Sequence, residues 1–162
     1  MVGMPRFICD AMLGSLARWL RFFGYDCTFS EAEDGEILLA SRRQGRWLLT
    51  RDGELAARGQ RSVHIRSRGL EDQIAEVFER LGLEPEPTLD SARCGACNGE
   101  LRGLSRDQAS ALVPPFVART VSRFRRCTSC GRVYWRGSHT DRILATMRRI
   151  RGLHERTGTV CR

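Results

Sequence analysis

The chain has 162 residues, 41% of them hydrophobic and 28% charged, which fits a soluble globular domain with a small appendage and excludes disordered, collagen-like and disulfide-scaffold proteins. No apolar run approaches the roughly 18 residues needed to span a bilayer, and no signal-peptide pattern opens the chain, so a cytoplasmic protein without a membrane partner is expected. The net charge of +8 hides an asymmetry: residues 1–90 carry 12 Arg against 15 acids, net −3, whereas residues 91–162 carry 15 Arg against 4 acids, net +11. A basic lobe beside an acidic one points to a polyanion held by the first and processed by the second, although the solvated surface of an Arg-rich protein gives the same count.

In chain order, Arg6–Cys9 is a short apolar run ending at Asp10, and it leads into Leu13, Leu16, Ala17, Leu20 and Phe23 at helical spacing, stopped by Gly24. Asp26–Phe29 reads as a second strand. Asp34 then stands at an N-cap position for a helix over Glu36–Arg43, closed by Gly45. Arg46–Thr50 is a third strand ending at Arg51-Asp52, and Ser62–Ile65 a fourth. A helix from about Leu70 to Leu81 follows, with Ile74, Val77, Phe78 and Leu81 on one face. This alternation predicts an α/β domain over residues 4–84 with an open, mostly parallel sheet and helices on both faces. The Pro-rich stretch Leu83–Thr88 is the expected linker to a lobe over residues 90–152.

That lobe contains two CxxC pairs, Cys94/Cys97 and Cys127/Cys130. A CxxC puts two thiolates on one tight turn, and two such turns complete a tetrahedral four-cysteine Zn²⁺ site. The 29 residues between the pairs exceed the roughly 15 to 20 usual in a zinc ribbon, so an insertion is expected to bulge out between the knuckles. Within it, Ser105-x-x-Gln108 is a capping box opening a helix that ends before Pro114. Ser138–Asp141 opens a closing helix with Ile143, Leu144, Met147 and Ile150 on its apolar face. Cys9, Cys27 and Cys161 stand alone, the first two as small core residues, and His64 and His154 receive no role.

In open α/β sheets the functional crevice lies at the carboxyl ends of the strands, where Asp10, Asp34 and Asp52 all fall. Three converging carboxylates need a divalent cation, and Mg²⁺ or Mn²⁺ with oxygen ligands serves phosphodiester hydrolysis. Taken singly, an acid at the Asp34 position is more often just a cap and one at the Asp52 position just a turn residue. Asp10, directly after a buried strand, is harder to dismiss, because an unpaired buried charge is costly. For RNA contacts the chain offers Arg18 and Arg21 on one helix face, Arg51 beside Asp52, and Arg123, Arg125 and Arg126 with Phe116 and Phe124 interleaved. The preferred reading of the two Phe residues is packing for a lobe too small to leave aromatic area exposed. Trp135, next to Arg136, either stacks on a base or closes the interface between lobes, and His139 either approaches the substrate or stabilises its turn.

The run Phe7-Ile-Cys-Asp10-Ala-Met-Leu-Gly-Ser-Leu-Ala-Arg-Trp-Leu-Arg21, then Gly24-Tyr-Asp26, Leu48-Leu-Thr-Arg-Asp52, the first CxxC and Cys127-x-x-Cys-Gly-Arg-Val-Tyr-Trp-Arg-Gly-Ser-His139 closely resemble the Mut-seven C-terminal ribonuclease family. The resemblance runs from about Arg6 to Met147. It implies a PIN-like nuclease domain fused to a zinc ribbon, acting as a metal-dependent endoribonuclease through carboxylates that correspond to Asp10, Asp34 and Asp52. PIN-like domains often add a fourth acid, for which Glu36 is the first choice and Asp72 the second. The alternative from another class is a non-catalytic RNA-binding or adaptor protein whose acids are caps. A nucleotide-binding sheet protein is disfavoured by the lack of any GxGxxG or P-loop run.

Overall fold

The computed structural model describes residues 3–158; Cys161 lies outside them. Four strands, β1 (Phe7–Cys9), β2 (Cys27–Phe29), β3 (Trp47–Thr50) and β4 (Ser62–His64), form one parallel sheet in the order β2-β1-β3-β4. Each agrees with its expected run to within a residue. Period-two alternation sorts their side chains to opposite faces. Phe7, Cys9 and Leu49 face a layer built from α1 (Gly14–Phe22), α4 (Leu70–Leu81) and α7 (Ser138–Gly158). Ile8 and Leu48 face the other layer, made by α2 (Asp34–Gln44) and α3 (Gly53–Arg58).

The chain leaves β1 toward β2 and returns past it to β3, so the strand order reverses between β1 and β3. Asp10 heads a single 3-10 turn over Ala11–Leu13 before α1 begins. Gly24 ends the first helical unit at φ 89°, and a Cβ there would lie 2.7 Å from Ser91 Oγ, so a larger residue is excluded both by conformation and by space. Two boundaries differ from expectation. The N-cap of α2 is Glu33, and Asp34 occupies the first turn, where its carboxylate favours the helix dipole without capping a backbone N–H.

The second difference concerns α7. Its residues Ile143, Met147 and Ile150 are buried in the same cluster as Phe7, Leu16 and Phe78, and Arg149 Nη2 reaches Glu71 on α4 at 2.7 Å. The closing helix therefore completes the sheet domain, not the ribbon lobe to which its place in the chain assigns it. An amphipathic face calls for burial without specifying the partner surface.

The ribbon lobe is a three-stranded antiparallel sheet, β5 (Leu101–Leu104), β6 (Phe124–Cys127) and β7 (Val133–Trp135), with the two knuckles at one end. The long spacing between the CxxC pairs is taken up by α5 (Arg106–Ser110) and α6 (Pro115–Thr120). The capping box forms as expected, Ser105 and Gln108 bonding reciprocally. Among the described residues no helix is long and apolar enough to cross a membrane.

Candidate active site and metal centre

Asp10 lies at the reversal point of the sheet and is only 7% exposed. Its Oδ1 accepts the Met12 backbone N–H at 3.0 Å, and its Oδ2 accepts the hydroxyl of Thr50, which is fully buried at the end of β3. The Thr50 oxygen in turn accepts the Asp52 N–H at 2.9 Å. One hydroxyl thus couples the ends of the two central strands and fixes the Asp10 carboxylate. Thr50 carries no motif of its own in the sequence beyond the Thr-x-Asp spacing after a buried strand.

Asp52 is exposed and caps α3, its Oδ1 accepting the N–H groups of Glu54 at 2.8 Å and Leu55 at 3.0 Å. His64 steadies the same loop, with Nε2 3.1 Å from the Arg51 carbonyl oxygen. Asp34 is exposed and lies 3.5 Å from Arg58 at the end of α3. Glu36 and Asp72 are both on helix surfaces, in the first turns of α2 and α4. Among the described residues, the one group of three or more His, Cys, Asp or Glu ligand atoms within 4.8 Å of one another is the cysteine set; the carboxylates do not form such a group.

That cysteine set is Cys94, Cys97, Cys127 and Cys130, with Sγ–Sγ separations of 3.6 Å for Cys94–Cys130 and 3.4 Å for Cys97–Cys127. The N–H groups of Ser129 and Cys130 both point at Cys127 Sγ from 3.4 Å, the arrangement that stabilises a thiolate in a knuckle. Burial resists ionisation of Cys94, but the Tyr134 hydroxyl at 3.0 Å and the N–H groups of Cys97 and Ala96 outweigh it and draw the thiol down to about 6. Four convergent sulfurs with donors aimed at them fit a structural Zn²⁺, and a closed four-cysteine shell leaves no position open for catalysis. His139 is exposed in the first turn of α7 and is not part of this group.

The arginines divide by burial. Arg18, Arg123, Arg126 and Arg136 are exposed and Arg51 is half-buried. Arg136 lies 3.7 Å from Asp141, and Arg126 Nε reaches the Gly131 carbonyl at 3.2 Å. Arg21 corrects the expectation of a phosphate contact. It is 7% exposed, and its guanidinium donates to Cys27 O at 2.8 Å, Gly95 O at 3.0 Å and Ala96 O at 3.3 Å, tying α1 to β2 and to the first knuckle. Arg125 is likewise engaged, donating to Leu89 O at 2.9 Å and Leu101 O at 3.0 Å. Trp135 is half-buried and packs in the small core with Phe124, whereas Phe116 is 67% exposed.

Asn98 was not anticipated and joins the two lobes. Held at φ 70° after the first knuckle, it donates to Asp26 Oδ1 at 2.7 Å and accepts the Cys27 N–H at 3.0 Å, covering part of the free edge of β2. Asp26 is also gripped by Arg46, at 2.7 and 3.1 Å. Desolvation raises the Asp26 pKa, but the Arg46 and Asn98 hydrogen bonds and the Arg46 charge outweigh it, so the carboxyl titrates below its ordinary value.

A family model described as Mut7-C RNAse domain matches residues 5–147, a span containing the Asp10 edge, both knuckles and the lobe junction. The chain belongs to the Mut7-C RNAse domain family. No curated protein and no solved structure gives a significant match. Membership in this RNAse family covers the sheet domain and the cysteine lobe together, so both are parts of one family unit.

Proposed function

We propose that this chain is a PIN-like, divalent-metal-dependent endoribonuclease whose carboxylates sit at the carboxyl edge of the sheet and whose RNA is held by arginines of the ribbon lobe. The observation that carries the reading is Asp10, a carboxylate buried at the point where strand order reverses, in a chain of the Mut7-C RNAse domain family. Asp10 and Asp52 would hold Mg²⁺ or Mn²⁺, with Asp34 and Glu36 as outer acids once Asp34 parts from Arg58. When bound, such an ion supplies charge neutralisation at the phosphodiester and a water of lowered pKa. Thr50 holds the Asp10 carboxylate in one orientation, and its link to the Asp52 N–H keeps the two strand ends in register. Arg18, Arg51, Arg123, Arg126 and Arg136 supply the positive surface for phosphates, with Trp135 and His139 at its margin, while Cys94, Cys97, Cys127 and Cys130 hold a structural Zn²⁺. We place the protein in the cytoplasm, where thiols are kept reduced and available to hold Zn²⁺.

The deciding test is incubation of labelled RNAs with the protein in Mn²⁺, Mg²⁺ or EDTA. Cleavage is expected with metal alone, and Asp10→Asn should lower it by orders of magnitude while RNA affinity persists. One observation favours the adaptor reading: Asp10, Asp34 and Asp52 each already have a hydrogen-bond or ion-pair partner within the chain. RNA binding without cleavage in either metal would establish that reading instead.

A further inference from the structure

Between the lobes runs a groove of about 630 Å³ walled by Gly14, Ser15, Arg18 and Arg21 of α1, Thr28 and Phe29 of β2, and the knuckle residues from Gly95 to Asn98. Its volume suits a nucleotide-sized ligand. We infer that this groove is a subsite for one unpaired nucleotide of an RNA strand, with the base stacked on Phe29 and its phosphate met by Arg18. The inference deepens the ribonuclease reading and rests on it for the identity of the polyanion.

Three observations converge on that occupant. Phe29 ends the edge strand β2 with 39% of its surface open, although a residue of this type is ordinarily buried. The ring edge is packed against α1: a Cβ on Gly14 would lie 3.3 Å from Phe29 Cε2, so glycine lets the helix approach the ring. Arg18, on the same wall, is exposed and makes no hydrogen bond or ion pair among the described residues, unlike Arg21 one turn along, whose guanidinium is spent on Cys27, Gly95 and Ala96 carbonyls. An unpaired cation beside an exposed aromatic, with no acidic residue in the lining, suits a phosphate and a base together. A duplex does not present an unpaired base face, so the subsite selects single strands.

The groove also adjoins the carboxyl edge of the sheet. Phe29 precedes Ser30, whose N–H bonds to Cys9 O at 2.9 Å, and Gly14 follows the turn that Asp10 heads. Phe29 and the Asp10 turn thus lie at the same carboxyl edge of the sheet.

The test is fluorescence anisotropy of the full chain with a labelled single-stranded RNA and its duplex, with no divalent ion added, so that affinity is read apart from cleavage. Phe29→Ala should weaken single-strand binding about tenfold and leave duplex binding unchanged, and Phe29→Tyr should bind like wild type. Arg18→Gln should reduce the log-log salt slope by about 0.7. Unchanged single-strand affinity in Phe29→Ala protein of normal thermal stability overturns the subsite, as does an equal loss for duplex or no RNA binding by wild type. Should Phe29→Ala fail to fold, weakened binding by a folded Phe29→Tyr or an unaltered slope in Arg18→Gln overturns it equally. A chain that binds through Phe29 but cuts no RNA keeps the subsite and loses the nuclease; one that cuts RNA with affinity indifferent to Phe29 loses the subsite alone.

Discussion

The sheet domain buries Phe7, Leu16, Leu20, Phe78 and Met147 to 1% exposure or less in one continuous cluster, whereas the ribbon lobe's own core is Ala109, Val113 and Phe124. Apolar burial, at roughly 25 cal/mol per Å², is the main term that offsets chain entropy, and the first cluster is much the larger of the two. The ribbon lobe depends on what else holds it: four cysteines at one end, and the Arg21, Asn98 and Arg125 hydrogen bonds along its junction with the sheet domain. The sheet domain rests mainly on burial, and the ribbon lobe on its cysteine cluster and its docking contacts.

Metal removal should break that contrast most severely. Cys127→Ser leaves three sulfurs, and because binding free energy at a structural site is largely folding free energy, the variant should lose its zinc and hydrogen-exchange protection across β5–β7. Protection in β1, β3 and α4 should persist, since their core contains no cysteine ligand. Simultaneous loss in both halves would show that they unfold as one cooperative unit.

A core truncation probes the other side. Met147 on α7 is fully buried against the sheet domain, so Met147→Ala should cost about 2–5 kcal/mol, read as a lower denaturant midpoint. Zinc content should stay at one per chain. If the ribbon loosens first, α7 serves the lobe that chain order implied.

The same two regions differ in how far they could be read from sequence. The four parallel strands and the helices α1, α2 and α4 were legible because periodicity in runs such as Phe7–Cys9 and Leu70–Leu81 is set by local burial, and the knuckles because CxxC spacing is set by coordination geometry. The placement of α7 was not, and neither was the role of Arg21. An arginine in a helix reads as charge, and only the carbonyls of Cys27, Gly95 and Ala96 around it make it a clamp. Asn98 and Thr50 escaped for a like reason: their partners lie 72 and 40 positions away. Asp10 was legible as a buried strand-end acid, while the pairing of Asp34 with Arg58 depends on how α2 and α3 meet.

The lobe junction should respond to acid. The Asp26 carboxyl titrates below its ordinary value near 4, so it contributes stability that is present above that pH and is lost as pH falls through the lower folded-state value. Between about pH 5 and 2 the wild type should lose stability more steeply than Asp26→Asn. At neutral pH that variant should be less stable by about 1–3 kcal/mol, because Arg46, 8% exposed, keeps its charge without its partner. Parallel pH curves for the two proteins would show that the Asp26 carboxylate contributes no net stability through Arg46 and Asn98.

The smallest effect on folding is expected at Asp34, which makes it the sharpest probe of what the sheet domain uses its edge for. Asp34 and Arg58 lie 3.5 Å apart with more than half of each side chain exposed, and an exposed pair contributes about 0–1 kcal/mol. Asparagine at this first-turn position forfeits a favourable dipole interaction of a few tenths of a kcal/mol and breaks no cap, since the N-cap is Glu33. Asp34→Asn should therefore melt within a degree or two of wild type and retain full zinc. In the ribonuclease reading its metal-dependent cleavage should nevertheless fall at least tenfold, and Arg58→Gln, which frees the Asp34 carboxylate, should leave cleavage intact or raise it. Equal cleavage by Asp34→Asn and wild type would confine the carboxylate site to the Asp10 and Asp52 ends of β1 and β3, with Asp34 a surface charge of α2.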